Sequence, residues 1–153
     1  MQLVVFRLDE QRYGLPLVVV ERVVRAAELI PLPMAPAIVL GAIDVDGQIL
    51  PVLNVRRRFR LPEREVSPAH QFLIARAGRR TVVLVIDEAL GVIEARHPDI
   101  VDAAEISPGL AQMRGAVKLS DGLVLVHDLE KFLSLDEEHA LDRAMDEEPA
   151  NGA

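Results

Sequence analysis

The sequence of 153 residues contains no cysteine and no tryptophan, and aromatic residues make up only 3% of it. Without cysteine there can be no disulfide bonds and no thiolate chemistry, which is compatible with a reducing cytoplasm. With so few aromatic side chains, the chain has little to stack on unpaired bases. The net charge of −7 also argues against nucleic-acid binding, because that affinity comes largely from neutralising phosphates. Nucleic acids are therefore not expected as partners.

Long apolar segments are also missing. The apolar run Val82–Ile86 is among the longest, yet it is far shorter than the roughly 20 residues that a membrane-spanning helix needs. Met1 leads directly into the strand-like segment Gln2–Leu8, without the basic and apolar regions of a secretory signal. The sequence therefore predicts a soluble, cytoplasmic protein with no direct membrane insertion.

Motifs for catalysis, metals and cofactors are absent as well. Neither a Gly-x-Ser-x-Gly elbow nor a glycine-rich phosphate loop occurs. Asp87 and Glu88 are adjacent, so on a strand their side chains point to opposite faces and cannot form a two-carboxylate site. The histidines are scattered without metal-binding spacing, and they are His70, His97, His127 and His139. We predict no catalytic residue, no metal and no cofactor, with the histidines on the surface or in packing.

Half of the residues are apolar, and the stretch Gly41–Phe59 shows how they are arranged. Apolar segments flank the pair Asp46-Gly47, and an Asp-Gly pair in this setting is a strong hairpin signal because both turn positions need φ > 0. Asn54 is suited to cap a short helical turn over Arg56–Phe59. The stretch therefore predicts a strand, a tight turn, a second strand and a short helix.

The same pattern recurs 74 positions later, in Gly115–Leu129. The two segments align without a gap: Asn54 is matched by Asp128, and the Asp-Gly pair is shifted by one place. A repeat period near half the chain length favours two related units over a solenoid. The glycines of both segments are predicted to be structural, at turns and close backbone approaches, and they are Gly41, Gly47, Gly115 and Gly122.

Roughly ten short strands with tight turns predict a mainly all-β protein built from small barrels or a sandwich. A helical turn is expected near residues 17–20, before a strand that reaches about Ile30, and another at residues 98–102. A longer helix is predicted from Asp128 to Met145; its apolar stripe is expected to cap its own barrel or, alternatively, to bind a partner.

The polar loop at residues 60–68 is the best boundary between the units. It places a first unit at about residues 15–68 and a second at about 69–133. The N-terminal strand, residues 2–14, could be shared, and residues 134–153 form an acidic C-terminal extension that ends in a frayed tail. Four arginines at positions 56, 57, 58 and 60 are expected on a solvated helix face or, alternatively, in a docking patch for an acidic partner.

Several motifs, taken together, carry a family resemblance that runs from about Val4 to Leu133. They are Phe6-x-Leu8 with Tyr13-Gly14, Pro33-x-x-Pro36, the stretch Gly41–Phe59, Val85-x-Asp87-x-x-x-Gly91-Val92, and Gly115–Leu133. In these the chain resembles the CheW family of bacterial chemotaxis coupling proteins. The resemblance implies two five-stranded, SH3-like β-barrel subdomains, and it implies that the protein has no catalytic activity. It implies as partners the regulatory domain of a CheA-type histidine kinase and the cytoplasmic tip of a chemoreceptor, at polar receptor arrays.

Two positions depart from the family pattern. The family's Val-x-Glu-Ile and Asn-Leu-Arg-Gly are here Val20-Glu21-Arg22-Val23 and Asp44-Val45-Asp46-Gly47. The family's glutamate and arginine lie close together and are implicated in receptor and kinase contact; in this chain both signs are inverted. Because an exchange of both charges is what a retained ion pair needs, we predict that Arg22 and Asp46 face each other across adjacent strands of the first barrel.

The resemblance also implies the receptor-binding residues. They are Val20, Arg22, Val23 and Asp46 on the first barrel, with Val85 and Asp87 bordering the groove between the barrels. Kinase contact is expected at strand edges.

Two alternatives stay open. The inverted pair is compatible with an auxiliary CheW-like scaffold of a pilus-motility or polar array system that does not bind receptors in the usual way. The second alternative is a small β-barrel that binds a ligand or a nucleic acid, and the acidic composition argues against it. The sequence also leaves open weak self-association and the identity of the receptors and kinase.

Overall fold

The computed structural model describes residues 1–96, 100–102 and 113–147, and strands dominate it. In chain order the strands (β), 3-10 helices (η) and α-helices (α) are β1 (Gln2–Leu8), β2 (Gln11–Pro16), η1 (Leu17–Val19), β3 (Val20–Arg25), β4 (Val39–Val45), β5 (Gln48–Leu53), α1 (Val55–Arg58), β6 (Gln71–Ala77), β7 (Arg80–Ile86), β8 (Glu88–Glu94), β9 (Ile100–Asp102), β10 (Met113–Leu119), β11 (Gly122–His127), η2 (Leu129–Lys131) and α2 (Leu135–Glu147). No helix in these ranges is long and apolar enough to cross a bilayer.

The strands form two sheets with matching order. One runs β3-β6-β7-β5-β4 and the other β8-β1-β2-β11-β10-β9. In each sheet two antiparallel hairpins are joined through one parallel pairing, β5 with β7 and β11 with β2. We call β3–β7 the first unit, and β8–β11 together with the N-terminal hairpin β1–β2 the second unit. The predicted fold class is confirmed, and the three-residue strand β9 adds a sixth member to the second sheet.

The two sheets do not divide the chain at residues 60–68. Strands β6 and β7 follow this loop but pair with β3 and β5, and the N-terminal hairpin lies wholly in the second sheet rather than being shared. The chain passes between the sheets at η1 and at Asp87 instead. The polar composition correctly marked a surface connection, but long-range strand pairing leaves no local signal in the sequence.

The internal repeat is confirmed, and its two hairpins share the same register shift. The β4–β5 hairpin has a register shift between Val39 and Gly41, and the β10–β11 hairpin has the same shift between Met113 and Gly115, 74 positions later. The first hairpin closes through the predicted Asp46-Gly47 turn, in which both residues have positive φ, 53° and 87°. The two segments are therefore structural equivalents.

The four repeat glycines occupy three kinds of position. Gly47 lies in a turn, and Gly122 is the first residue of β11, directly after one. Gly41 and Gly115 lie inside strands at the register shifts rather than in turns. At Gly41 the φ is +155°, and a Cβ would lie 2.7 Å from the carbonyl oxygen of Ile30. Here glycine permits the close backbone approach.

Replacing Gly41 by alanine is therefore expected to lower the free energy of unfolding by about 2 kcal/mol, because the new methyl group meets backbone that cannot move aside. Gly78→Ala is the matched control: its φ is also positive, 63°, but open space surrounds its Cβ position. Urea denaturation of both variants measures the difference. Equal losses at the two positions would contradict a contact at Gly41.

The core explains why several strands are apolar on both faces. Alternate residues of β1 point to different clusters: Leu3 and Val5 pack inside the second unit, whereas Val4 and Phe6 pack in a cluster shared by both units. Strand β6 divides its residues in the same way between the first unit's interior and the shared cluster. We call this shared cluster the joint core. A strand that is covered on both faces needs a continuous apolar run, as Val82–Ile86 shows.

The C-terminal helix differs from its prediction in extent and in place. The predicted helix over 128–145 is interrupted after η2, and α2 begins only at Leu135. Ser134 and Glu137 form a reciprocal capping box: the Glu137 N–H donates to Ser134 Oγ at 3.1 Å, and the Ser134 N–H donates to Glu137 Oε1 at 2.8 Å. The Ser-x-x-Glu spacing was the signal that could have placed this start.

Helix α2 packs against the first unit rather than against the sheet that precedes it. Leu141 and Ala144 are buried beside Leu32, in the proline-rich segment between β3 and β4. Ion pairs of Asp142 with Arg79 and Arg80 hold the helix over the β6–β7 turn. The apolar stripe predicted for this helix therefore packs against the same chain. Residues 100–102 form strand β9, not a helical turn, while residues 98–99 and the tail beyond 147 lie outside the described residues.

Candidate interaction surface

Arg22 and Asp46 form the predicted ion pair. The Arg22 Nη2 group donates to Asp46 Oδ2 at 3.0 Å. Their strands are not hydrogen-bonded neighbours, however, because β3 and β4 are the two edges of the first sheet and Asp46 lies in the turn after β4. The segment that follows β3 closes the gap between these edges: Ile30, five residues beyond the end of β3, and Ala42 of β4 exchange backbone hydrogen bonds of 2.7 and 2.9 Å. The pair therefore lies where the first barrel closes.

The pair is open to solvent. The side chains of Arg22 and Asp46 are 48% and 86% exposed. A pair this exposed adds at most about 1 kcal/mol to stability, because water screens the attraction and two side chains must be ordered. Both charges are thus available to a partner. The other two residues predicted on this strand, Val20 and Val23, are half-buried and pack against the joint core.

Strand β8 holds in the second sheet the place that β3 holds in the first. Each is an edge strand beside an antiparallel hairpin, and each pairing has a one-residue bulge. Their chemistry differs: β3 exposes Glu21 and Arg22, whereas β8 exposes Leu90 and Val92, 46% and 51% exposed. Sequence reasoning missed this apolar edge. The spacing of Leu90 and Val92 was visible, but which strand would be an edge was not.

The structure places Val85 and Asp87 differently from their prediction. Val85 is half-buried against the interior of the first unit. The Asp87 side chain is only 8% exposed and lies in a cluster of charged side chains. An open groove of about 490 Å³ does separate η1, the end of β6 and η2, and Val18, Arg76 and Glu130 are among its lining residues. Neither Val85 nor Asp87 lines it, so neither borders this groove.

The charged cluster is centred on Arg56, the second residue of α1. Its guanidinium donates to both carboxylate oxygens of Asp9 at 3.0 Å and to both of Asp87 at 2.8 Å. A further bond of 3.1 Å reaches the carbonyl oxygen of Pro62. His70 Nε2 lies 3.6 Å from Asp87 Oδ1 at the margin of the cluster. Arg56 is buried, and these bonds satisfy its charge.

The cluster shifts the titration of both acids in the same direction. The hydrogen bond from Arg56 is the main cause that holds the pKa of Asp9 below its usual value. For Asp87, burial acts to raise the pKa, but the hydrogen bonds from Arg56 and from the Asp9 N–H outweigh it, and the pKa is lowered. Both carboxylates are therefore ionised at neutral pH.

The arginine run is not a uniformly solvated face, so that prediction was wrong for two of its members. Arg56 is buried, and Arg58 Nη2 donates to both carboxylate oxygens of Glu137 at 2.6 Å. Of the four arginines, only Arg57 and Arg60 are exposed. The acidic partners of Arg56 and Arg58 lie far away in the sequence, so no local pattern revealed them.

Two aromatic residues pack against one histidine. His127 is fully buried, with its ring 4.8 Å from that of Phe59 and 5.4 Å from that of Phe132. Neither ring nitrogen has a hydrogen-bond partner, and burial lowers the pKa of His127 to about 3. The ring is therefore neutral and packs as an apolar group. Among the residues that the structure describes, no group of acidic or histidine side chains is arranged to hold a metal ion.

Two sheets of matching strand order, packed through a joint core and each built around the same hairpin, define a double SH3-like β-barrel domain. A family model described as the CheW-like domain matches residues 2–137. The chain belongs to the CheW-like domain family.

Individual relatives agree with this placement. The chain is 28% identical over 139 residues to the chemotaxis protein CheW of Treponema pallidum, covering 87% of this chain and 82% of the relative. It is 31% identical over 117 residues to protein FrzA of Myxococcus xanthus, covering 72% and 73%. The crystal structure of the scaffolding protein TtCheW from Thermoanaerobacter tengcongensis is similar with a TM-score of 0.81 and 25% identity, covering 89% of this chain and 94% of that one.

Proposed function

We propose that the protein is a non-catalytic adaptor of a bacterial chemosensory system, which couples a CheA-type histidine kinase to the cytoplasmic tips of chemoreceptors. The observation that carries this proposal is the CheW-like family match over residues 2–137. The similar crystal structure is that of a scaffolding protein, and this supports a role in assembly rather than in catalysis.

The receptor is proposed to contact the first unit at Val20, Arg22, Val23 and Asp46. The exposed pair supports this placement, because both charges are accessible while contributing little to stability. A complementary tip presents an acidic group to Arg22 and a basic group to Asp46. A tip arranged for the opposite polarity meets like charges, so the pair selects among receptors. Asp87 is not part of this proposed set because Arg56 already engages its carboxylate.

The kinase regulatory domain is proposed to contact strand edges. A partner with an apolar edge of its own would find one on β8, where Leu90 and Val92 are exposed. This contact lies on the second unit, so it leaves the ion pair of the first unit free.

The double reversal Arg22→Glu with Asp46→Arg tests the receptor contact. It preserves an internal ion pair but inverts its polarity, so we expect unchanged stability and at least about tenfold weaker binding of a receptor-tip fragment from the same cell. Binding of the kinase regulatory domain is expected to stay unchanged. Isothermal titration with each partner measures both affinities.

The matched control reverses a second ion pair, Arg12 with Asp121 on the second unit, whose Nη2 and Oδ1 atoms are 3.0 Å apart and whose side chains are 24% and 71% exposed. Its reversal is expected to leave receptor affinity unchanged. An equal loss in both double variants would mean that net surface charge, not the Arg22–Asp46 site, governs binding.

The second candidate is an auxiliary CheW-like scaffold of a pilus-motility or other array system. The similarity to FrzA, a relative that carries a different name, and the inverted pair favour it. On this reading the wild type binds the kinase or another scaffold, and it binds the receptor tip only after the double reversal. Binding to neither partner in either form would contradict both candidates.

A further inference from the structure

One of the two crossings between the sheets consists of a single residue. Strand β7 ends at Ile86 in the first sheet and β8 begins at Glu88 in the second, so Asp87 alone connects them. Asp87 forms hydrogen bonds through its backbone and its side chain: its N–H donates to the Arg7 carbonyl oxygen at 3.1 Å, and its carboxylate accepts the Asp9 N–H at 2.8 Å. The crossing is therefore tied to the β1–β2 hairpin of the second unit.

Arg56 adds the first unit to this arrangement. From α1 it reaches the Asp9 carboxylate in the β1–β2 turn, the Asp87 carboxylate at the crossing, and the Pro62 carbonyl oxygen in the loop after α1. One buried guanidinium thus contacts a turn of the second unit, one of the two connections between the units, and a loop of the first unit.

The backbone at Asp9 gives a second, independent sign of this role. Asp9 has a positive φ of 53°, a conformation that side chains other than glycine adopt at a cost. The equivalent turn of the first unit, between β6 and β7, has Gly78 with a φ of 63°. The second unit therefore has a carboxylate where the backbone favours glycine, and that carboxylate binds Arg56.

We propose that Arg56 is a positioning residue that sets the angle between the two units. The joint core holds the units together, but apolar packing has little directional preference, whereas a guanidinium bound to two carboxylates has a fixed geometry. The angle determines how the Arg22–Asp46 pair on the first unit is placed relative to the β8 edge on the second. Its consequence for partners rests on the proposed function; the angle itself is a property of the chain alone.

Spin labels can report this angle directly, because the chain contains no cysteine. Gln48→Cys and Ser120→Cys place one label on an exposed hairpin of each unit. Electron paramagnetic distance measurements are expected to give one narrow distribution in the labelled parent. Adding Arg56→Met is expected to shift or broaden that distribution. Arg58→Met is the matched control, since it removes an arginine of the same helix whose carboxylate partner, Glu137, lies on α2.

An unchanged distribution in folded Arg56→Met would overturn the proposal, and so would an equal change in Arg58→Met. Should Arg56→Met fail to fold, the triple variant Arg56→Met, Asp9→Gly and Asp87→Asn removes all three charges together. Its Asp9→Gly change places the residue that the turn conformation favours. An unchanged distance distribution in the triple variant, or an equal change in Arg58→Met, would then overturn the proposal. Because no partner is present, failure to bind a receptor or kinase leaves this result unaffected.

Discussion

Replacing Arg56 by alanine is expected to lower the free energy of unfolding by about 3–5 kcal/mol, the cost of leaving buried charges without their partner. The Asp87 side chain is only 8% exposed, and Arg56 supplies two of its hydrogen bonds. Without the guanidinium, Asp87 keeps Arg7 Nη1 at 3.6 Å from its Oδ2, and Asp9 keeps Arg64 Nη2 at 3.2 Å from its Oδ1; both arginine side chains are partly exposed and neither bridges the two carboxylates. Arg56 is also the main group that lowers the pKa values of Asp9 and Asp87, so its removal raises both, and protonation of one carboxylate then relieves only part of the repulsion.

Urea denaturation at pH 7 measures the loss, and Arg57→Ala is the matched control. Arg57 is the next residue of the same short helix, but its side chain is exposed, so its removal is expected to change stability by no more than about 0.5 kcal/mol. The triple variant with neutral residues at positions 9, 56 and 87 is expected to be more stable than Arg56→Ala. A loss below about 1 kcal/mol for Arg56→Ala would show that water replaces the guanidinium without penalty.

His127 is expected to make the protein lose stability as the pH falls below about 6.5. Burial lowers its pKa to about 3, whereas an unfolded histidine titrates near 6.5, so between these values the unfolded state binds one more proton than the folded state. Stability is complete above the unfolded pKa and is lost as the pH falls toward the folded pKa. The loss amounts to roughly 2–3 kcal/mol between pH 6.5 and 4.5, and to about 4–5 kcal/mol by pH 3.

Denaturation at a series of pH values, with wild type and His127→Leu, separates this effect from that of the acids. Asp9 and Asp87 have lowered pKa values, so their contribution is present above about pH 4 and is lost only below it. Leucine has a similar volume and no unpaired polar atom, so the variant is expected to fold and to have a flat profile between pH 6.5 and 4.5. A wild-type profile that is flat over the same range would contradict a buried, neutral His127.

Features with a short-range cause were predicted well. The Asp46-Gly47 turn and the Asn54 cap follow from residues within a few positions of one another, and the repeat follows from two such local patterns 74 positions apart; all three are present. The Arg22–Asp46 contact was inferred from a paired exchange of charges, which a sequence can show because both positions are read against one pattern.

Features that depend on distant residues were missed. The family resemblance placed Asp87 at the border of the groove between the barrels, and the arginine run was predicted as a solvated face because its charges are favourable in water. Neither prediction could include the fact that Arg56 and Asp87, 31 positions apart, meet Asp9 from another unit. The Ser-x-x-Glu spacing at the start of α2 could be recognised in the sequence. The apolar periodicity that begins at Leu129 nevertheless favoured one continuous helix, so the interruption between η2 and α2 was not predicted.

By itself, the sequence determined the all-β class, the doubling of one hairpin unit and the family, since composition, turn residues and repeat spacing are local properties of the chain. Tertiary structure alone decided that the N-terminal hairpin completes the second sheet, that β8 is an exposed apolar edge, and that Arg56 is buried between two acids. The physical reason is that strand pairing and charge burial join residues far apart in the chain. Their free energies depend on which surfaces come together, and no short stretch of sequence records that.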